Sequence, residues 1–228
     1  MTGAALILMA KAPEPGAVKT RLCPPATPAE AADVAAAALL DTLDAMAAVP
    51  HARTLVAMTG RLAAAARAPD LIAALRRTTT TAQRGAGLSE RIVAAHADTA
   101  HRFPGRPTLV LGMDTPQVDA VLLAECLARL SGTDAVLGPA RDGGWWALGL
   151  RDPRNAALIE YVRTSRDDTG KLTLRALRAA DLRVELLPEL QDVDTPDDAT
   201  EVADLAPDGR FAAAVGRIAA FGIGSRAT

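Results

Sequence analysis

The amino-acid sequence predicts an α/β protein with a mostly parallel central sheet covered by helices on both faces. Short apolar runs alternate with helical stretches along the chain, which is the order that βαβ units produce. The runs are continuously apolar, as in Thr108-Leu109-Val110-Leu111, and this is typical of strands that are buried on both faces. Half of the 228 residues are hydrophobic, so we expect residues 1–228 to form a single domain with a full core.

The strands can be placed from these apolar runs. The first run, residues 4–10, is too short to span a bilayer and has no basic leader, so we predict a strand there rather than a membrane or signal segment. The remaining strands are predicted at residues 53–58, 77–81, 107–112, 134–138, 145–150 and 182–187.

The helices lie between these strands. Thr27 is suited to cap a helix, Pro28 to occupy its first position and Glu30 to close a capping box, so the first long helix is predicted over residues 28–48. Further helices are predicted near residues 89–102, 117–129 and 170–180, with a closing helix over 208–221 and a tail over 222–228.

Charge and cysteine content narrow the function classes. The formal net charge is −2, so we expect neither nucleic acid nor a membrane as a partner, and any phosphate affinity has to come from a local site. Cys23 and Cys126 form no pairing motif, and the three histidines show no ligand spacing, which argues against a disulfide framework and a cysteine-based metal site. We therefore expect a cytoplasmic protein, and the sequence does not indicate its oligomeric state.

The loop after the first strand is the first candidate site. It reads AKAPEPGAVKTRL, and it holds Lys11 and Lys19, two of the three lysines in a chain with 22 arginines. Gly16 allows a ligand to approach the backbone, and Lys19 and Arg21 can neutralise phosphate oxygens. Ligands of open α/β sheets bind at this carboxyl edge of the strands. A solvated basic loop would contain the same residues, so at this point both interpretations are open.

Two aspartates are candidate metal ligands. Asp114 directly follows the strand 107–112, and Asp194 stands just before Thr195-Pro196. Magnesium takes one or two protein carboxylates and completes its coordination with water and substrate phosphates. The alternative is structural: Asp114 could assist a helix start, and the acids around Asp194 could complement a helix dipole.

Three further loops are polar or rich in glycine. Residues 138–146 contain Asp142, Gly143 and Gly144, which suit either a plain turn or backbone contact with a ligand, and of the adjacent tryptophans we expect one in the core and one in a ligand-site wall. Residues 83–91 lead into a helix whose start could bind an anion or could simply be capped by Ser89. Residues 164–171 could form a lid, an acceptor-site loop or an ordinary surface loop.

Five segments in order carry a resemblance: AKAPEPGAVKTRL, QRGAGLSER, LGMDTP, GPARDGGWWALGL and DVDTPDD. Together they closely resemble the DUF2064 family of GT-A-like proteins, often labelled glycosyltransferases, over roughly residues 6–202. The resemblance implies a GT-A-like, Rossmann-like three-layer αβα sandwich. The family is similar to the 2-phospholactate guanylyltransferases, whose Lys-Thr-Arg-Leu loop resembles residues 19–22, and to the CMP-sugar synthetases.

The resemblance also implies roles for single residues. In CMP-sugar synthetases an aspartate before a proline and an aspartate in an Asp-Thr-Pro-Glu-Asp stretch bind Mg²⁺. The matching residues here are Asp114 and Asp194, so the resemblance implies that these two bind the metal. Three departures stand out. Thr115 replaces the usual cysteine, Trp145 and Trp146 replace two tyrosines, and the nucleotidyltransferase signature with several glycines and Arg-Met is absent.

Residues and resemblance together predict a transferase that uses Mg²⁺ or Mn²⁺ and a nucleoside triphosphate or nucleotide-sugar. Nucleotidyl transfer to a small phosphorylated acceptor is the leading prediction. The alternatives are a GT-A glycosyltransferase with an NDP-sugar donor and a non-catalytic nucleotide-binding module. The predicted catalytic residues are Lys19, Arg21 and Asp114, and the predicted metal ligands are Asp114 and Asp194. The predicted nucleotide-binding residues are Ala10, Lys11, Gly16, Lys19, Arg21, Gln83, Gly85, Leu88, Asp142, Gly143, Gly144 and Trp145.

Overall fold

A seven-stranded sheet forms the centre of the protein, with strand order β3-β2-β1-β4-β6-β5-β7. The computed structural model describes residues 3–218. Every neighbouring pair of strands is parallel except that β6 runs antiparallel to β4 and to β5. This is the mostly parallel α/β sheet predicted from the sequence. The strands are β1 (Ala5–Lys11), β2 (Arg53–Thr59), β3 (Thr79–Ala82), β4 (Thr108–Gly112), β5 (Ala135–Pro139), β6 (Trp145–Leu150) and β7 (Val184–Leu186).

Helices cover both faces of the sheet. They are α1 (Pro28–Ala47), α2 (Ala68–Leu75), α3 (Leu88–Arg102), α4 (Ala120–Gly132), α5 (Thr169–Ala179), α6 (Pro196–Leu205) and α7 (Arg210–Val215). Short 3-10 helices lie at Thr20–Leu22, Leu62–Ala64 and Pro153–Ile159. No helix within residues 3–218 is both long enough and apolar enough to cross a bilayer.

The core has two layers separated by the sheet. Leu6 and Leu8 of β1 pack toward α1, α2 and α4, whereas Ile7 and Met9 pack toward α3 and α5. Because successive side chains of a strand point to opposite faces, both sets must be apolar, which explains the continuous apolar runs. A third cluster joins the outer side of α1 to α6 and α7 and includes Leu22 and Phe211.

Several element boundaries differ from those predicted. Helix α4 begins at Ala120 instead of residue 117, because the side chain of Asp119 caps it by accepting a 2.7 Å hydrogen bond from Leu122 N. Strand β3 begins at Thr79, since Arg77 and Thr78 still belong to the turn after α2. Helix α2 was not among the predicted elements. The predicted closing helix 208–221 is a helix at Arg210–Val215, and residues 219–228 lie outside the described part.

The strand order also sets where a ligand is expected. From β1 the chain continues to β2 and β3 on one side, and then crosses to β4 on the other side of β1. The connections therefore diverge between the carboxyl ends of β1 and β4, and this divergence opens a crevice. Residues 12–27 follow β1 and residues 113–119 follow β4, so both loops with candidate site residues meet there.

Candidate functional site

A cleft lies at this carboxyl edge and has two adjoining halves that share Met9, Leu88 and Asp114. We call the first, of about 370 Å³, the lysine half; its polar and charged lining includes Lys11, Lys19, Arg21, Gln83, Arg91, Asp114 and Asp194. We call the second, of about 260 Å³, the tryptophan half; its polar, charged and aromatic lining includes Asp114, Thr115, Asp142, Trp145, Trp146, Thr164, Ser165, Arg166, Thr169 and Asp192.

Lys19 is held in the lysine half, next to Asp114, which both halves share. Its backbone has φ 47° and ψ 37°, the left-handed region that non-glycine residues rarely adopt, and the next turn is anchored by the fully buried Leu22. The Lys19 side chain is only 9% exposed, its Nζ lies 2.5 Å from Asp114 Oδ1, and it donates a hydrogen bond to Val193 O. Val193 N in turn donates to Asp114 O over 2.9 Å. Lys19 therefore connects its own loop with the loop of Asp114 and with the segment that contains Val193.

Asp114 does not assist a helix start. The residues after it form a turn in which Val118 N donates to Thr115 O, and α4 begins only after Asp119. The structural alternative for Asp114 is therefore wrong, because no helix starts next to it.

Arg21 and Asp194 form a second ion pair, with Nη1 and Oδ2 2.5 Å apart. Thr195 caps α6, and Asp198 closes the capping box. The backbone N–H of Asp194 donates to Asp198 Oδ2 over 3.1 Å. Asp194 is therefore oriented by the cap without being part of it, and its carboxylate faces the lysine half.

The donor chemistry of the cleft suits a hard divalent cation. Asp114 and Asp194 both line the lysine half, and carboxylate oxygens are the ligands that magnesium prefers. Each carboxylate is paired with a cation, and within residues 3–218 no group of three or more His, Cys, Asp or Glu side chains is positioned to hold a metal ion. The two carboxylates fit a metal that arrives with phosphate oxygens and water as its remaining ligands.

Asp192 is a cleft residue that was not among the predicted site residues. It is half-buried, lines the tryptophan half, and has a pKa raised from 3.8 to about 6, mainly by burial and then by the negative charge of Asp142, with a smaller contribution from Asp194 and an opposing one from Lys19. The sequence shows that Asp192 stands two residues before the predicted Asp194, but the burial of its side chain depends on tertiary packing.

Gln83 and Lys11 lie at the outer end of the lysine half. The Gln83 amide donates from Nε2 to Ala10 O and to Ala57 O, both over 2.9 Å, and so ties together the ends of β1 and β2. Lys11 is exposed, and its Nζ donates to Ala17 O over 2.7 Å. Both residues, with Ala10, line the cleft.

The loop before α3 differs in detail from the prediction. Gly87 occupies the N-cap position of α3, and Ser89 is buried inside the helix, where its Oγ donates to Val162 O over 2.5 Å. Ser89 is therefore not the cap. Arg91 lines the lysine half and was missed, although it lies three residues after the predicted Leu88 and thus on the same helix face.

The two tryptophans differ in burial, although both line the tryptophan half. Trp146 is 3% exposed and donates from Nε1 to Pro188 O over 2.9 Å. Trp145 lines the tryptophan half, and its Nε1 donates to Thr173 Oγ1 over 3.2 Å.

Gly143 contacts a neighbouring loop rather than the cleft. It has φ +87°, and a Cβ there would overlap the carbonyl oxygen of Asp167. Its own carbonyl accepts a 2.8 Å hydrogen bond from Gly170 N. Residues 164–166 consequently pack beside the turn 141–144 and form part of the wall of the tryptophan half.

Most predicted site residues thus meet in one cleft. The structure brings into its lining Ala10, Lys11, Lys19, Arg21, Gln83, Leu88, Asp114, Asp142, Gly144, Trp145 and Asp194. It leaves out of the lining Gly16, Gly85 and Gly143. Gly16 has φ +76° with open space around it, whereas a Cβ at Gly85 would crowd Glu90.

Comparison with known proteins identifies the family to which the chain belongs. The sequence profile of DUF2064, described as an uncharacterized protein conserved in bacteria, matches residues 42–166, which is more than half of the chain. The chain belongs to this family. No curated protein matches it in sequence.

Solved structures share the fold of this DUF2064 protein. A candidate nucleotide-diphospho-sugar transferase from Desulfovibrio desulfuricans G20 is 26% identical with a TM-score of 0.82, and the match covers 97% of both chains. CMP:2-keto-3-deoxy-manno-octonic acid synthetase complexed with CTP is 12% identical with a TM-score of 0.56, covering 90% of this chain and 98% of the other. Rv0371c of Mycobacterium tuberculosis H37Rv, solved with manganese, is 18% identical with a TM-score of 0.52, covering 89% and 98%.

Proposed function

We propose that this protein is a divalent-metal-dependent transferase that moves a nucleotidyl group from a nucleoside triphosphate to a small acceptor. The observation that carries the proposal is a pair of contacts made by the loop after β1: Lys19 with Asp114, which follows β4, and Arg21 with Asp194, which precedes α6. Each contact joins a side chain that can bind phosphate to one that can bind a metal. A metal–triphosphate complex is the ligand that satisfies both kinds of group at once.

In this proposal the residues of the cleft have different roles. Lys19 and Arg21 would bind the phosphate oxygens, and Asp114 and Asp194, freed from their ion pairs, would hold the cation. When bound, the cation offsets phosphate charge and orients the triphosphate. Lys11 and Arg91 add positive charge at the same half of the cleft, and Gln83 and Leu88 lie where the nucleoside would rest.

The transfer itself is mainly a matter of position and charge. An acceptor oxygen in the tryptophan half forms a bond to the α-phosphorus, the bond from that phosphorus to the bridging oxygen breaks, and pyrophosphate leaves. If the acceptor oxygen belongs to a hydroxyl group, its proton passes to solvent. Lys19 and Arg21 stabilise the charge that accumulates on the leaving pyrophosphate.

The comparisons support a nucleotide substrate. The fold is shared with a CMP-sugar synthetase solved with CTP and with a protein solved with manganese. A second candidate function, transfer of a sugar from an NDP-sugar, is favoured by the 26% identical relative described as a candidate nucleotide-diphospho-sugar transferase. The same cations would then stabilise a leaving nucleoside diphosphate.

The experiment that separates these functions measures the phosphate product. The protein is incubated with Mg²⁺ and either a nucleoside triphosphate panel or an NDP-sugar panel, each with pooled small acceptors. Nucleotidyl transfer predicts release of pyrophosphate from a triphosphate, and release only of nucleoside diphosphate from an NDP-sugar contradicts it. Asp114→Asn and Asp194→Asn should each weaken Mg²⁺-dependent nucleotide binding, and the double variant should lose little more than either single, because the two act as one unit.

A matched control is available on α6. Asp204→Asn removes an acid from an exposed position outside the cleft and should leave metal-dependent binding unchanged. Unchanged metal dependence in both cleft variants would remove the proposed site.

A further inference from the structure

The two halves of the cleft carry opposite charge. Lysine-half residues include four cations, Lys11, Lys19, Arg21 and Arg91, against the carboxylates of Asp114 and Asp194. In the tryptophan half the carboxylates outnumber the cations: Asp114, Asp142 and Asp192 line it together with one guanidinium, that of Arg166. That guanidinium is already engaged, because its Nε lies 3.0 Å from Asp168 Oδ1.

Two of these carboxylates are not neutralised by a neighbouring side chain. Asp114 is paired with Lys19, but among residues 3–218 neither Asp142 nor Asp192 forms a salt bridge with a lysine or an arginine. Within residues 3–218, the Asp142 carboxylate accepts only the 2.7 Å hydrogen bond from Gly144 N in its own turn. A cation held by Asp114 and Asp194 would have neither Asp142 nor Asp192 as a ligand, so both carboxylates would still face an acceptor in the tryptophan half.

The remaining surface of this half is neutral. Met9, Ile92 and Trp145 supply apolar and aromatic area. Thr115, only 2% exposed, also contributes to the wall, and its Oγ1 is buried without a hydrogen-bond partner in the described part of the chain. Buried hydroxyl groups normally have a partner, and a ligand hydroxyl or amine beside this wall would supply one.

We infer that the tryptophan half receives the acceptor, and that this acceptor is an unphosphorylated molecule with an apolar face and hydroxyl or ammonium groups. The inference rests on the proposed function, in that it names the second substrate of the same site. A phosphate ester would bring a further anion next to Asp142 and Asp192, and the single guanidinium of Arg166, which is paired with Asp168, is outnumbered by the carboxylates of this half. The charge of the cleft thus favours a different acceptor from the phosphorylated one predicted from the sequence.

The sign of the field can be measured without any substrate. The chain has two tryptophans. Both line this half, but Trp146 is only 3% exposed, so collisional quenching by small ions reports mainly on Trp145. Caesium and iodide are compared at pH 8 and constant ionic strength, each normalised to its quenching of N-acetyltryptophanamide. The inference predicts that caesium quenches at least about twice as efficiently as iodide, because a pocket of one sign concentrates counter-ions.

Variants connect this signal to the two aspartates. The double variant Asp142→Asn and Asp192→Asn should remove most of the preference for caesium, whereas Asp197→Asn, on the exposed surface of α6, should retain it. Equal quenching by both ions, or stronger quenching by iodide, overturns the inference.

A second arm uses the reaction. Pyrophosphate release from the triphosphate panel is compared with pooled hydroxyl- and amine-bearing acceptors and with the phosphate esters of the same acceptors. Faster release with the unphosphorylated pool is the expected result, and release confined to the phosphate esters overturns the inference while the proposed function stands. If neither pool gives release, the proposed function fails, and the quenching experiment alone decides the charge of the pocket.

Discussion

At the scale of single residues, the proposed function predicts that Lys19 makes opposite contributions to metal and nucleotide binding. Its Nζ lies 2.5 Å from Asp114 Oδ1. A metal ion that binds Asp114 without a nucleotide therefore has to break this ion pair. Lys19→Met should therefore tighten Mn²⁺ binding in the absence of nucleotide by about tenfold, the equivalent of one charge-assisted contact. It should weaken Mg²⁺–nucleotide binding, because a phosphate contact is lost.

Isothermal titration of Mn²⁺ alone and of the Mg²⁺–nucleotide complex measures both effects. Lys171→Met is the matched control, since it removes a lysine from α5 outside the cleft lining. If the two affinities of Lys19→Met fall together, the lysine is not the internal counter-ion described here.

Asp192 should make stability depend on pH. Its pKa of about 6 in the folded chain lies above the ordinary value of 3.8, chiefly because of burial, so the folded state binds this proton more tightly than the unfolded state. The stabilising contribution is complete below pH 4 and is lost as the pH rises through 6. Asp192→Asn removes this loss, and between pH 4 and pH 7 it should gain on the wild type by about 1 kcal/mol, after allowance for the half-exposure of the group.

Urea unfolding at one-unit pH intervals gives the difference in free energy of unfolding. A difference between variant and wild type that is constant from pH 4 to pH 7 would contradict the assigned burial of Asp192.

At the scale of elements, the start of α6 positions the second ion pair. Asp198 Oδ2 accepts from Thr195 N over 2.7 Å and from Asp194 N over 3.1 Å, and Oδ1 accepts from Gln191 Nε2 over 2.8 Å. Asp198→Ala should lower the free energy of unfolding by about 1–2 kcal/mol, as for the loss of a helix cap, and should also weaken nucleotide binding by loosening residues 191–195.

The neighbouring acid provides the control. Asp197 lies in the same first turn but is exposed, so Asp197→Ala should cost only about 0.3–1 kcal/mol through the helix dipole and should leave nucleotide affinity unchanged. Equal effects of the two substitutions in urea unfolding and in nucleotide titration would show that the cap does not orient Asp194.

Much of the fold could be predicted because its signals are local. The buried runs 4–10 and 107–112 identify the two central strands, and the Thr27–Glu30 capping box identifies the start of α1, as the structure confirms. The direction of β6 could not be predicted, because pairing depends on neighbours that are distant in sequence. Asp192 could not be selected for the same reason, because its burial arises from tertiary packing. Gly143 was predicted to bind the nucleotide, but it lies outside the cleft lining, where its conformation allows a contact with the 164–170 loop.

At the scale of the whole molecule, the sheet topology brings charges of opposite sign to one edge. The loop after β1 supplies the cations Lys19 and Arg21, and the segments after β4 and before α6 supply Asp114 and Asp194. The two members of the Lys19 and Asp114 pair are 95 residues apart in sequence, so they meet only when β1 and β4 are adjacent. The cleft therefore depends on the pairing of β1 with β4.

The most direct measurement is a crystal structure of the protein with Mn²⁺ and a non-hydrolysable nucleoside triphosphate, with the manganese located by its anomalous scattering. The proposed function predicts a manganese peak within coordination distance of the carboxylates of Asp114 and Asp194, with Lys19 and Arg21 on phosphate oxygens and the nucleoside in the lysine half. Manganese bound elsewhere, or a triphosphate seated in the tryptophan half while the ion pairs of Lys19 and Arg21 stay intact, would contradict it.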